Sequence, residues 1–265
     1  MNLRFFQVDA FASRLFAGNP AGVVPLDAWL TDDTLQNIAM ESNLAETAFI
    51  VPEAAGQSDF HLRWFTPAVE MDLCGHATLA TAHVLKTELG FTADRIRFRS
   101  KSGVLTVTTE EDRLVLDFPS RSGEPIDVFS ELTAALGARP ISAIRSRDLM
   151  AVFETAEQVR ALVPDMVRVA ALDAFAVIVT APGSDCDFVS RFFAPNAGVP
   201  EDPVTGSAHC TLIPYWAQRL GKREMLARQI SARGGELHCR AAGDRVHIGG
   251  QCVTYLQGII RLSQL

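Results

Sequence analysis

The chain is short of several things. No apolar run reaches the length needed to cross a membrane as a helix. The apolar start, MNLRFFQVDAFASRLF, is broken by Asp9 and Arg14, which makes it a strand and not a secretion signal. Lysine and arginine form no run, and the net charge is −7 with a pI near 5.4. That balance argues against nucleic acid and against an anionic membrane as partners. Cysteine is sparse. The five residues Cys74, Cys186, Cys210, Cys239 and Cys252 are odd in number and none are two or three apart. A disulfide framework or Cys-rich zinc site does not fit, and a reducing cytoplasm does. The phosphate-loop, dinucleotide-loop and H-E-x-x-H motifs are absent.

What remains is a globular composition, 48% hydrophobic and 21% charged over 265 residues, enough for one large core or two ordinary ones. The informative feature is an internal repeat. EMDLCGHA (70–77) and EDPVTGSA (201–208) share Glu, four residues, Gly, a polar residue and Ala, at an offset of 131. Upstream, WFTPAVE (64–70) corresponds to FFAPNAGVPE (192–201), three residues longer. Downstream, each phrase opens a helix-like segment that stops at a glycine, Gly90 or Gly221. Hairpin-like segments follow, SKSGVLTVTTEEDRLVL (100–116) and SARGGELHCRAAGDRVHI (231–248). Several matching features in one order predict two similar domains, 1–118 and 119–265, meeting near FPSRSGE (118–124). The final strand is free to pair with the first domain.

The class is α+β with strands dominating. LRFFQVD, ETAFIV, FHLRWF, LMAVFE, AFAVIVT and FVSRFF read as strands, and GNP (18–20) as a tight turn. TDDTLQNIAMES reads as a helix capped by Thr31 or Asp32, and SELTAALG as a short one. The principal helices are expected over about 74–89 and 204–220, the second kinked or broken at Pro214.

A helix start presents free N–H groups and the positive end of a dipole, and glycine there lets a ligand approach the backbone. Gly75 and Gly206 therefore predict two anion-binding helix starts, expected to face one cleft and to hold a small carboxylate. The two copies differ at His76 and Ser207. Histidine can shuttle protons near neutral pH and serine cannot. Asp202 lies just ahead of the second helix, and Glu46 opens the ETAFIV strand. By itself Glu46 reads as a solvated strand-end carboxylate.

FQVDAFASRLFAGNPAGVV (6–24), NLAETAF (43–49), FTPAVEMDLCGHATLATAHVL (65–85) and EDPVTGSAHC (201–210) together resemble the phenazine-biosynthesis PhzF-like family, over essentially the whole chain and in order. The resemblance implies the diaminopimelate-epimerase fold, two pseudo-symmetric α+β domains, each a barrel-like sheet around a central helix. It implies a homodimeric isomerase without cofactor or metal, of the kind that moves a hydrogen within trans-2,3-dihydro-3-hydroxyanthranilate. It places the acid/base glutamate at Glu46, partners at His76 and Asp202, and substrate contacts at Gly75, Gly206 and Ser207, with Asn19 shaping the pocket. Cys74 matches a catalytic thiol of the related epimerases, but its counterpart here is Thr205, not a second thiol. A one-base amino-acid epimerase using Cys74 and a non-catalytic small-molecule binder remain the alternatives. His209-Cys210 and His238-Cys239 are expected to be structural; neighbours on a strand face opposite ways.

Overall fold

The computed structural model describes residues 1–53 and 56–262. In chain order its elements are β1 (Asn2–Ala10), β2 (Asn19–Pro25), α1 (Asp32–Ser42), β3 (Glu46–Pro52), β4 (Phe60–Phe65), β5 (Glu70–Met71), α2 (Gly75–Thr87), β6 (Arg95–Ser100), β7 (Gly103–Glu110), β8 (Arg113–Pro119), β9 (Glu124–Ile126), α3 (Ser130–Leu136), β10 (Ser142–Arg145), β11 (Leu149–Val152), α4 (Ala156–Ala161), α5 (Met166–Ala170), β12 (Val177–Pro182), β13 (Phe188–Phe193), α6 (Gly206–Leu220), β14 (Glu224–Gln229), β15 (Gly235–Ala242), β16 (Arg245–Gly250) and β17 (Cys252–Arg261). The chain divides into two compact units, Met1–Asp117 with Gly249–Leu265, and Phe118–Ile248. No helix among the described residues is long and apolar enough to cross a membrane.

In the first unit β1 pairs antiparallel with β2, β2 parallel with β3, β3 antiparallel with β4, β4 parallel with β6, and β6 antiparallel with β7. The chain returns at its far end, and β17 pairs antiparallel along the whole of β1. α2 is buried over nearly its full length, Gly75 to Ala82 and again at Val84 and Leu85. Thr78 and Thr81 donate their hydroxyls to the helix's own Cys74 and Ala77 carbonyls, so this length can be buried without orphaned polar groups. α1 covers a separate cluster that includes Leu35, Ile38, Phe49 and Phe65. Thr31 caps it, its Oγ1 accepting from the Thr34 amide at 3.3 Å, and Asn43 ends it in the left-handed region at φ 50°.

The second unit repeats the pattern. β10 pairs antiparallel with β11, β11 parallel with β12, β12 antiparallel with β13, β13 parallel with β14, and β14 antiparallel with β15. α6 is buried at eight positions, among them Trp216, whose indole N–H donates to Thr180 Oγ1 at 3.0 Å.

Three local expectations need correction. GNP is not wholly a turn. Gly18 carries the turn at φ +66°, and Asn19 and Pro20 already belong to β2. A Cβ at Gly18 would lie 2.2 Å from the Ala10 carbonyl oxygen, so only glycine fits there. Pro214 does not break α6, which is one helix of 15 residues. Proline cannot donate to the carbonyl four residues back, Cys210, and the Arg121 amide donates to that oxygen at 2.8 Å. The principal helices also start one or two residues later than their sequence limits, at Gly75 and Gly206. The short helices α4 and α5 are not evident from periodicity, since each spans only about a turn and a half. A capping box at Thr155 and Gln158 does announce α4.

Candidate active site

The repeated glutamates have a purpose that the sequence alone does not disclose. Arg63 on β4 donates from Nε and Nη2 to the two carboxylate oxygens of Glu70, at 2.7 and 2.9 Å. Arg191 on β13 does the same to Glu201, at 2.8 and 2.9 Å. Each guanidinium also lies over the ring two residues on, Phe65 at 5.1 Å and Phe193 at 4.9 Å. The clasps are bidentate and pin each loop to its sheet just before the helix start. Arg63 and Arg191 are 128 apart where the glutamates are 131 apart, so the three extra residues lie inside the second loop.

In the first unit Cys74 is the N-cap of α2, and no side chain caps the first turn. The amides of that turn lie at the positive end of the helix dipole. His76 is buried at 4% exposure. Its Nδ1 lies 3.2 Å from Asn19 Nδ2 and 3.6 Å from Cys74 Sγ. Its Nε2 lies 3.1 Å from Glu46 Oε2, an ion-pair distance without hydrogen-bond geometry. Glu46, at the first position of β3, keeps 13% of its side chain exposed. Glu46, His76, Cys74, Asn19 and Gly75 thus gather within one unit, on three elements: β2 and β3 side by side, and the start of α2. Burial pulls the His76 imidazole down, but the Cys74 and Glu46 groups beside it outweigh that and hold it well above its usual value. The carboxylate is the operative cause, because burial pushes the Cys74 thiol up to about 11 and leaves it uncharged at neutral pH. Glu46, Cys74 and His76 also offer ligand atoms within 4.8 Å of one another, the one such group of three among the described residues.

The second unit builds its helix start from hydroxyls and an amide. Thr205 is the N-cap of α6, again without a side-chain cap. Its Oγ1 donates to Asp202 Oδ2 at 2.5 Å. Buried Gln229, at the end of β14, accepts from the Thr205 amide at 2.8 Å and donates to the Asp202 carbonyl at 2.7 Å. Gln229 was not foreseen, because a glutamine ending a strand carries no motif. Ser207 is half-buried in the first turn, beside buried Gly206.

Of the other histidines, His209 braces the second helix start. His209 is fully buried, and its Nδ1 donates to the Thr205 carbonyl at 2.8 Å. Burial holds its pKa down to about 4, so it is neutral. His83 bonds to Thr254 Oγ1 at 3.0 Å. On β15, Cys239 is buried while His238 faces the other way, half-exposed, as strand alternation requires. All five cysteines are free thiols.

A family model described as phenazine biosynthesis-like protein (PhzC-PhzF) matches residues 8–258. The chain is 55% identical to an uncharacterized isomerase of Pseudomonas aeruginosa, over 99% of its own length and 100% of the relative's. It superposes on a crystal structure of a PhzF-family protein from Enterococcus faecalis with a TM-score of 0.96, at 48% identity, covering 99% and 100% of the two chains. A hydroxyproline epimerase from Agrobacterium vitis shares the fold alone, with a TM-score of 0.65 at 11% identity over 99% and 93% of the chains.

Proposed function

Because the chain belongs to the phenazine biosynthesis-like (PhzC-PhzF) family, we propose that it is an isomerase that shifts a proton within a small carboxylate-bearing molecule, with Glu46 as the acid/base group. The observation that carries this reading is the 3.1 Å contact between Glu46 Oε2 and His76 Nε2 beside the uncapped start of α2. The histidine at that distance gives the carboxylate a proton-carrying partner, the pairing that general acid/base transfer uses.

In the proposed reaction Glu46 takes a proton from a carbon next to an unsaturated or carboxyl-bearing group. The C–H bonding pair moves into the adjoining π system. The amides of the first turn of α2 stabilise the negative charge that develops. Glu46 then returns its proton at a different carbon, so nothing is gained or lost overall. Protonated His76 balances the charge and donates to a polar substituent. By the resemblance, Asp202, Gly206 and Ser207 hold substrate groups on the second helix start, and the repeated phrase reflects an internal duplication. The assembly implied in the same way is a homodimer in a reducing cytoplasm.

A Cys74 epimerase is the weaker reading, because a thiol pushed up to about 11 is a poor base at neutral pH. The test is solvent exchange. The protein is incubated in D₂O with trans-2,3-dihydro-3-hydroxyanthranilate and a panel of cyclic and amino acids, and deuterium is located by NMR. Isomerised, labelled product that drops by roughly two to four orders of magnitude in Glu46→Gln supports the reading. Label at an amino-acid α-carbon that persists in Glu46→Gln and vanishes in Cys74→Ala refutes it.

A further inference from the structure

We propose that Cys74, His76 and Glu46 form a binding site for one thiophilic divalent cation, with Zn²⁺ as its type. The three side chains supply a sulfur, an imidazole nitrogen and a carboxylate oxygen, all within 4.8 Å of one another. Such a mixed set suits zinc, which takes Cys, His and Asp/Glu ligands at about 2.3, 2.0 and 2.1 Å in a tetrahedron. Those lengths put ligated sulfur and nitrogen about 3.6 Å apart, and nitrogen and oxygen about 3.4 Å apart. In the protein Cys74 Sγ lies 3.6 Å from His76 Nδ1, and Glu46 Oε2 lies 3.1 Å from His76 Nε2. A cation uses one ring nitrogen, so one of these edges is already at coordination spacing. The third ligand closes by a side-chain shift of about an ångström.

Two further features point the same way. His76 Nε2 is buried and faces the Glu46 oxygen at 3.1 Å outside hydrogen-bond geometry, so no directed bond locks the pair and a cation can enter between them. The other ring nitrogen already has a polar neighbour in the Asn19 amide, which can turn its oxygen to accept from Nδ1–H. An outer partner of that kind is what a metal-bound histidine usually has. Charge closes as well. The Cys74 thiolate and the Glu46 carboxylate neutralise a divalent cation, and the helix start that disfavours a bare cation favours the thiolate.

Binding breaks the Cys74 S–H bond and the His76 Nε2–H bond, forms metal–sulfur, metal–nitrogen and metal–oxygen bonds and releases two protons to solvent, with no change of oxidation state. Three protein ligands leave the fourth position of the tetrahedron for water or a ligand carboxylate. Occupancy would take Glu46 and His76 out of proton transfer. That consequence rests on the proposed function, whereas the binding itself does not.

The test uses the full reduced chain, stripped with a chelator and titrated with Co²⁺, which reports a bound thiolate by a near-ultraviolet charge-transfer band. The expected result is one Co²⁺ per chain with that band, both displaced by Zn²⁺. Cys74→Ser removes the band, Glu46→Gln keeps it but weakens binding roughly tenfold or more, and Cys186→Ser, at a half-buried thiol, changes neither. Near-ultraviolet circular dichroism verifies each variant's fold, and Cys74→Ala replaces Cys74→Ser if the latter is misfolded. No band up to millimolar Co²⁺, or a band that survives loss of Cys74, overturns the proposal.

Discussion

Gln229 makes the sharpest structural prediction, because it is 1% exposed and its amide is used from both ends. It accepts from the Thr205 N–H at 2.8 Å and donates to the Asp202 carbonyl at 2.7 Å and to Thr205 Oγ1 at 3.2 Å. Gln229→Leu keeps the volume and removes all three bonds. The Thr205 hydroxyl still has Asp202 Oδ2 as a partner, so its loss is small. The Thr205 amide and the Asp202 carbonyl are left without Gln229. An orphaned buried backbone group costs about 1–3 kcal/mol. The buried Thr205 amide gives up to about 3 kcal/mol, the half-buried Asp202 carbonyl adding little because it can recruit water. At about 1.4 kcal/mol per decade, the opening equilibrium of this helix start should rise roughly 100-fold. Amide hydrogen exchange at Thr205, read by NMR under native conditions, measures this directly, and denaturant unfolding gives the global share. Less than about 1 kcal/mol lost, with the Thr205 amide still protected, would show that the start of α6 is held by something other than Gln229.

Two other outcomes are expected. His209 is depressed to about 4 in the folded chain against 6.5 unfolded, so between those values the unfolded state binds more protons. Stability is therefore full above pH 6.5 and falls as the pH drops toward 4, by about 3 kcal/mol in all, and His209→Gln should flatten that slope in denaturant titrations against pH. Cys74, buried and pushed up to about 11, should resist iodoacetamide at pH 7 under native conditions. Peptide mass spectrometry that found it the first thiol alkylated would instead favour the epimerase reading.

The parts of the fold legible in sequence are those where one local rule acts alone. Thr31 before an apolar period and Gly18 at a crowded turn announce themselves by chemistry. Alternation announces β4, and short apolar runs rich in β-branched and aromatic residues announce β3, β12 and β13. The failures come where a distant group changes the rule. Pro214 should break a helix, and does not, because an amide 93 residues earlier serves the carbonyl it leaves open. Arg63 and Arg191 look like two among many surface arginines until their sheets bring them to Glu70 and Glu201. At the site, the family motifs marked Glu46, His76 and Cys74 as positions. No spacing could say that 28 to 30 residues of chain fold back to bring them within 4.8 Å. Gln229 was invisible for the same reason, since its meaning lies in backbone atoms 24 and 27 residues away.

The pairing of β17 with β1 has a consequence for how the chain is made. A ribosome delivers residues 2–10 well before residues 252–261. Throughout that interval the outer edge of β1 has no strand beside it. Phe118–Ile248 is continuous in sequence and can complete itself as soon as it emerges. The unit begun first is therefore finished last, and its open strand edge is the surface most in need of protection on the nascent chain. Removing residues 252–262 would make that transient exposure permanent, while leaving the later-synthesised unit with every strand it needs.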